Sequence, residues 1–436
     1  MGLAAKFTND RRLALGGVFL VANALIWYTS AANILESIIP NETQQVLVWT
    51  IHFSSLIISL FLGVLLMKKV GRNKLFLLWT IIGIFSPITL FGLSIGGTWI
   101  VLFVALLFGV SLGLGMPSCM AYFTSLTETK NRGRYGGLIM LISGLGGILL
   151  GVLSAGSIES TAIVLVIWRT LGLSFLFFQK PLQQNANKHQ VSFGFVLKHR
   201  SFILYLIPWL MFSLVGYLSV PVQSSVLTES AIKSLMLVES AVVGIFAVIS
   251  GFLIDIVGRK RIAIIAFVLV GIEFSILGLY PEAMASWIIY TFIDGTVWGI
   301  LYVMFVISIW GDLSQNVSTE KYYALGILPF FLSKFLQLVL ANYVVEAISK
   351  YALFSFVGIF LFLAVLPLFY APETLPEKLM KDRELKNYVE KAQKIVQKRE
   401  VKNHKPKSRT EEEQDNQQEE NNEEYNKAAE LAEKYY

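Results

Sequence analysis

The sequence has few charged residues: Asp, Glu, Lys and Arg make up 15% of its 436 residues, whereas hydrophobic residues make up 55%. A soluble protein of this length covers its surface with charge, so the composition excludes an ordinary soluble globular fold. The single cysteine, Cys119, excludes a fold held together by disulfides. The sequence also lacks an HExxH motif, and its four histidines are not clustered at metal-ligand spacing. We therefore expect neither an enzyme, nor a metal site, nor a cofactor.

Long segments without charge dominate the chain. The segments 13–32, 46–67 and 75–120 contain no Asp, Glu, Lys or Arg. A bilayer core is crossed by about 20 helical residues, and lipid offers no hydrogen-bond partners for the backbone, so such crossings must be helices. The sequence predicts an all-α membrane protein with twelve transmembrane spans, near 13–33, 45–67, 75–94, 98–125, 136–156, 161–178, 201–225, 234–254, 262–280, 284–309, 322–345 and 351–370.

Basic residues lie mainly on one side of these spans. The loops on the other side carry only Lys233 and Lys350. By the positive-inside rule, both termini are cytoplasmic. We expect a multi-pass protein of the cell membrane, monomeric and surrounded by lipid, with no nucleic-acid partner.

The chain divides into two similar halves. Residues 179–200 form the longest polar break between spans, with six spans on either side. The pairs Gly71 and Gly258, and Arg72 and Arg259, are each 187 residues apart. Repeats of this kind suit a binding site between them and alternating access. The predicted organisation is a six-helix bundle (1–178), a central loop (179–200), a second six-helix bundle (201–371) and a cytoplasmic tail (372–436).

The tail has two parts. Apolar residues recur at helical spacing among lysines from about 379 to 396, which predicts an amphipathic helix on the membrane surface. Beyond Lys405 the sequence is acidic and of low complexity, which is typical of disorder.

Short motifs resemble those of the major facilitator superfamily, in particular its sugar-porter-like and general branches. The family's loop signature is Gly-x-x-x-Asp-Arg/Lys-x-Gly-Arg-Lys/Arg, and the second half matches it at Gly251, Asp255, Gly258, Arg259 and Lys260. The first half keeps Lys69, Gly71, Arg72 and Lys74 but has Lys68 in place of the Asp. Further similarities are the RGR at 132–134 and the PETLPE at 372–377.

The resemblance implies the superfamily's fold, two pseudo-symmetric six-helix bundles, and a gate built from these loops. It implies that Asp255 contacts Arg132 or Arg134 in the outward-open state. At the symmetric position, we hypothesise that Lys68 pairs with Glu320 with reversed polarity; the alternative is a solvated lysine. The candidate gating residues are Lys68, Gly71, Arg72, Arg132, Arg134, Asp255, Gly258, Arg259 and Glu320.

Asp294 and Lys334 are charged residues near the middle of predicted spans. Each costs about 2.5–3.5 kcal/mol in a bilayer centre, and Asp294 and Lys334 lie at matching depths, so we expect an ion pair. The resemblance implies that spans one, four, seven and ten line the cavity, so Asp294 is the first candidate for binding substrate or proton. The aromatic residues Tyr290, Trp298 and Tyr302 follow at four-residue spacing and share the helical face of Asp294. Such a face suits a cationic, sugar-like or amphipathic ligand. Alternatively, the two charges only lock two helices together.

Other polar and aromatic residues in the spans are secondary candidates. These candidates are Asn23 and Trp27 on span one, and Trp209 and Tyr217 on span seven. Aromatic residues on helices serve packing more often than ligand binding. The sequence places Glu239 and Glu273 toward the outer ends of their spans, where they reach water.

We therefore expect a secondary active transporter that moves a small solute by alternating access. The sequence has no Walker motif, so the energy must come from a gradient, with H⁺ or Na⁺ as the coupling ion. The alternatives are efflux of drug-like hydrophobic compounds and a non-transporting receptor or scaffold on the same fold.

Overall fold

The computed structural model describes residues 2–39, 42–154, 156–178, 189–315, 317–339 and 346–376, and the single positions 343, 381, 385, 389, 391, 393, 394 and 427. The predicted amphipathic helix lies largely outside these residues, and so do the acidic segment and most of the central loop. The single positions from 381 onwards are helical. The residues up to Thr374 form one compact unit, and those from Leu375 onwards form another.

Helices account for nearly all of the described chain. They are α1 Gly2–Ser37, α2 Glu42–Val70, α3 Arg72–Phe85, α4 Leu93–Gly113, α5 Met116–Leu126, α6 Arg132–Leu153, α7 Ile158–Phe178, α8 Phe193–Lys198, α9 Arg200–Val215, α10 Ser219–Val226, α11 Glu229–Ile256, α12 Arg259–Leu279, α13 Met284–Leu301, α14 Ile309–Leu313, α15 Thr319–Gly326, α16 Leu328–Val339, α17 Lys350–Leu363 and α18 Val365–Tyr370. Short 3₁₀ helices span Ser86–Gly92 and Gly216–Leu218, and a π-helix spans Tyr302–Ser308.

Eleven helical segments in the described part of the chain are long and apolar enough to cross a membrane. One of them, Arg72–Leu126, has 55 residues, which corresponds to about 80 Å at 1.5 Å per residue, more than twice the thickness of a bilayer core. This segment is kinked at Gly97, whose φ is 50°, and α3 packs against α4, so the chain folds back on itself. It contains the two predicted spans 75–94 and 98–125. When this segment is counted as two crossings, the eleven segments correspond to the twelve predicted spans.

The packing repeats between the two halves of the chain. Helix α2 packs against α4 as α11 packs against α13, and α3 packs against α7 as α12 packs against α17. Between the halves, α6 packs against α11 and α2 packs against α16. These contacts join spans five and eight, and spans two and eleven. Exchanging the halves turns one interface into the other, as a pseudo-twofold axis requires.

Equivalent glycines start equivalent helices in the two halves. Gly71 precedes α3 with φ 82°, and Gly258 precedes α12 with φ 118°. Only glycine adopts this part of conformational space readily. The short loop can therefore turn sharply after spans two and eight, which places the basic residues of both motifs at one end of the bundle. We call this end the basic face; it comprises residues 68–74, 128–134, 255–261, 312 and 320.

Candidate functional site

Three carboxylates from three spans meet inside the second half. The Asp294 carboxylate on α13 lies close to those of Glu239 on α11 and Glu273 on α12, and to Tyr290 one helical turn away, so that their charges interact. Only 4% of Asp294 is exposed. The Tyr290 hydroxyl also contacts Ser219 at 2.8 Å, which ties the cluster to span seven. We call Glu239, Glu273 and Asp294 the carboxylate cluster.

Glu273 is the most buried member of this cluster, with 0% exposure. No hydrogen-bond donor in the described part of the chain reaches either of its carboxylate oxygens. The prediction that Glu273 reaches water is therefore wrong. Helical spacing gives the depth of a residue along its span, but it does not show that this face of α12 turns toward α13. A buried ionised carboxylate without donors is very costly, so the chemistry of this site depends on where a proton resides.

Lys334 does not form the predicted ion pair with Asp294. Both side chains are described, and the Lys334 Nζ instead donates to Gln337 Oε1 at 3.2 Å on its own helix. The Lys334 side chain is exposed, yet it remains within electrostatic range of Glu239, Asp294 and Glu36 of the first half. Since a lysine facing lipid at this depth is unfavourable, an exposed Lys334 indicates a water-accessible space between the halves.

The aromatic residues of span ten form a wall beside the carboxylate cluster. The rings of Trp298 and Tyr302 are 4.9 Å apart, and Trp298 packs edge-on against Phe212 at 5.0 Å. Both residues are partly exposed, as a cavity wall requires. The predicted helical face is interrupted, because α13 ends at Leu301 and a π-helix begins at Tyr302.

The secondary candidates are mostly packing residues. Trp209 is fully buried and stacks on Phe305 at 5.1 Å, and Tyr217 is buried in a 3₁₀ turn. Asn23 accepts from Arg169 Nη1 at 3.0 Å and donates to the carbonyl of Trp168 at 2.9 Å, so it joins spans one and six.

Trp27 is part of the same buried arrangement. The Arg169 guanidinium lies 4.1 Å from the centre of the Trp79 ring and 5.8 Å from that of Trp27. Cation–π contacts of this kind stabilise a buried cation. Trp27 is only 1% exposed, and this geometry gives it a role in packing.

Asp255 holds the start of α6, as the motif resemblance implies. Its carboxylate accepts the backbone N–H groups of Gly133 at 3.0 Å and Arg134 at 2.8 Å, and it lies 3.8 Å from the Arg134 Nε. A carboxylate at a helix N-terminus is favourable because unpaired amides and the helix dipole both attract negative charge. This contact joins the two halves at the basic face.

Two acidic residues that the sequence did not single out complete this network. Asp312, at the end of span ten, is paired with Arg132 of the first half and with the Arg259 Nε at 2.9 Å. Arg259 also bonds Asp255 at 2.7 Å. Glu373 accepts the backbone N–H groups of Arg259 at 2.9 Å and of Lys260 at 3.1 Å. The PETLPE motif was a signal for Glu373, but no motif marked Asp312.

The symmetric contact differs from the hypothesis for Lys68. Glu320 at the start of span eleven forms a salt bridge with Arg72 Nη2 at 3.5 Å, and both side chains are buried. Lys68 is exposed and lies close to Lys321. The cation found at Glu320 is therefore Arg72. It belongs to the first turn of α3, which the sharp turn at Gly71 directs toward the other half.

Comparison with known proteins is consistent with this architecture. The chain matches the family model "Major Facilitator Superfamily" over residues 13–326. No curated protein sequence matches it. Similar solved structures include the human organic anion transporter MFSD10 (TETRAN), with a TM-score of 0.62 and 14% identity over 82% of this chain and 99% of that one.

Two further transporters are similar over most of their length. The proton:xylose symporter XylE, bound to 6-bromo-6-deoxy-D-glucose, has a TM-score of 0.61 and 12% identity over 85% of this chain and 97% of that one. FucP in the outward conformation has a TM-score of 0.63 and 12% identity, over 81% and 98%. At such identities these structures show the fold alone. The family match covers most of the sequence, and the chain belongs to the Major Facilitator Superfamily.

Proposed function

We propose that the protein is a secondary active transporter that moves a small solute by alternating access and couples this movement to protons. Asp255, Asp312 and Glu320 link the two halves at the basic face, so that face is closed in this structure. By the positive-inside rule this is the cytoplasmic face of the cell membrane. Transport requires these contacts to break while others form on the opposite side.

The observation that carries the proposed coupling is the approach of Glu273 to Asp294. Two carboxylates that face each other in a dry site do not both ionise, because each is desolvated and each repels the other. Glu273 has no donor in the described residues, so we infer that Glu273 is protonated and that its O–H group faces the Asp294 carboxylate. Loss of that proton leaves a second negative charge on the pair of Glu273 and Asp294, and Asp294 lies within electrostatic range of Lys334. This change in charge couples protonation to movement of spans ten and eleven.

The surroundings of the carboxylate cluster support a class of solute. Trp298 and Tyr302 provide aromatic faces, and the carboxylate cluster provides negative charge when it loses a proton. This combination favours a cationic or amphipathic solute, through stacking and cation–π contacts. In such a cycle solute and proton compete for the same carboxylates. One charge moving across 100 mV supplies about 2.3 kcal/mol, which is enough to drive either accumulation or export.

The test is proton flux in proteoliposomes that contain a fluorescent pH indicator. The full chain is exposed to cationic amphipathic compounds, neutral monosaccharides and small organic anions, each with and without a sodium gradient. We expect a cationic or amphipathic compound to change the internal pH. Asp294→Asn should abolish this change, whereas Glu282→Gln, which alters an exposed carboxylate paired with Lys350, should retain it.

The same experiment separates the alternatives. Solute uptake without proton movement that requires sodium would assign the coupling to Na⁺ and contradict the proton proposal. Solute binding without any flux would identify a receptor. Net export of hydrophobic compounds against their gradient would identify an efflux transporter, and in that case the carboxylate cluster would still be the coupling site.

A further inference from the structure

The loop between spans two and three borders a basic cavity. The cavity has a volume of about 650 Å³ and opens at the N-terminus of α3. Three cationic side chains line it, and no acidic residue is among the described residues of its lining, which are Met67, Lys68, Val70, Gly71, Arg72, Asn73, Lys74 and Gln190. Positive side chains in a concave site attract an anion.

The corresponding place in the second half contains an anion that the protein itself supplies. Gly258 and Arg259 correspond to Gly71 and Arg72 through the 187-residue shift. There the Glu373 carboxylate accepts the backbone N–H groups of Arg259 at 2.9 Å and of Lys260 at 3.1 Å. The same loop geometry thus binds a carboxylate in the second half.

The first half differs in two ways. A Cβ added to Gly258 would lie 2.4 Å from Glu373 Oε2, whereas one added to Gly71 would meet no atom of the described residues within 4 Å. The segment that follows the sixth span, 179–200, contains no Asp or Glu, whereas Glu373 follows the twelfth. In the first half, none of the described residues fills the space at this helix N-terminus, and the sequence has no counterpart of Glu373.

Positive charge also accumulates beside the cavity. Lys68 lies close to Lys321 from the other half, and the Lys321 Nζ donates to the backbone carbonyl of Val191. The acidic residue on this side, Glu320, pairs with Arg72. The replacement of the family's Asp by Lys68 places an additional cation at the lining, so an anion here neutralises mutual repulsion.

We propose that this cavity binds a phosphate group, either the headgroup of an anionic lipid in the adjacent leaflet or a soluble phosphate. A helix N-terminus with neighbouring lysines is a suitable receptor for phosphate oxygens, and basic residues at the cytoplasmic surface attract anionic lipid. Lys68, Lys74 and the first turn of α3 are the contacts, and Gln190 provides a further polar side chain. This site is separate from the carboxylate cluster and does not depend on the proposed transport cycle.

The test uses native mass spectrometry of the detergent-purified full chain. The probes are short-chain phosphatidylglycerol, short-chain phosphatidylcholine and inorganic phosphate. Lys68→Gln and Lys74→Gln are compared with Lys69→Gln, which removes the same charge from the same loop but outside the cavity lining. All three lysines are exposed, so none of these variants threatens folding.

We expect phosphatidylglycerol to bind more tightly than phosphatidylcholine, with affinity reduced about fivefold by Lys68→Gln or Lys74→Gln and unchanged by Lys69→Gln. The same variant pattern with inorganic phosphate alone would support the site and assign it to a soluble ligand. Equal effects of Lys68→Gln and Lys69→Gln, or no preference for any phosphate probe over phosphatidylcholine, would overturn the proposal.

Discussion

Asp255 joins the two halves by accepting the backbone N–H of Gly133 at 3.0 Å, at the start of α6. The same carboxylate is bonded to Arg259 at 2.7 Å, with both side chains fully buried. One acidic residue therefore caps a helix of the first half and neutralises a cation of the second. Opening of the basic face must break the first contact, while the second can persist within its own half.

Asp255→Asn should loosen the basic face. The amide keeps an acceptor for α6 but removes the charge opposite Arg259, and breaking a buried pair in this way costs about 3–5 kcal/mol. A cysteine introduced at Ala247, which is fully buried against α6, should then be alkylated several-fold faster. Glu128→Gln, at an exposed carboxylate of the same face, is the control. Equal alkylation rates in both backgrounds would show that Asp255 does not hold this face closed.

Asp312 should matter more for stability than Arg134, although both belong to the same network. Asp312 is buried between two guanidinium groups, so Asp312→Ala should lower the free energy of unfolding by about 3–5 kcal/mol. The Arg134 side chain is 45% exposed and its Nε lies 3.8 Å from Asp255, so Arg134→Ala should cost less than about 1 kcal/mol. Thermal denaturation in detergent measures both; the reverse order would contradict the geometry.

Arg72 and Glu320 should be energetically coupled across the halves. A double-mutant cycle with Arg72→Gln and Glu320→Gln should give a coupling energy of about 0.5–3 kcal/mol, because the two side chains are in contact and buried. The matched cycle with Lys68→Gln and Glu320→Gln should give a smaller value. A larger coupling energy between Lys68 and Glu320 than between Arg72 and Glu320 would contradict this result and support the hypothesised Lys68–Glu320 pair.

Asn23→Ala should affect stability rather than solute recognition. The substitution removes a hydrogen bond to Arg169 and one to the Trp168 carbonyl, each contributing about 1 kcal/mol or somewhat more where a charge is involved. The melting temperature should fall, while solute affinity at the permissive temperature stays within about twofold of wild type. A large loss of affinity with unchanged melting would place Asn23 in the binding site.

Glu273→Gln should fold normally and yet fail to couple. If Glu273 holds a proton in this structure, the amide replaces a neutral acid of similar shape, and stability should change by less than about 1 kcal/mol. Glu273→Ala leaves a buried void and should cost more. Thermal denaturation distinguishes the two variants, and strong destabilisation by Glu273→Gln would indicate that an ionised carboxylate is required.

The sequence was sufficient for the spans and the loop motifs, because apolar length and the spacing of glycine and basic residues report them directly. It also drew attention to Asp294, since a charge within an apolar segment is conspicuous, and Asp294 is buried. The rotation of a helix about its axis is set by tertiary packing, so the sequence did not show that Glu273 turns inward to face Asp294. It also did not identify the salt bridge between Arg72 and Glu320, which are distant in the chain.

The most direct test of alternating access is a pair of distances measured by spin labelling. The lone Cys119 is fully buried, so introduced cysteines are labelled selectively. One pair is at Lys130 and Arg261 on the basic face, and the other is at Ser37 and Glu282 on the opposite side. We predict that a change of pH or addition of a transported solute lengthens one distance while shortening the other. Two distances that change together, or a basic face that never opens, would contradict the account.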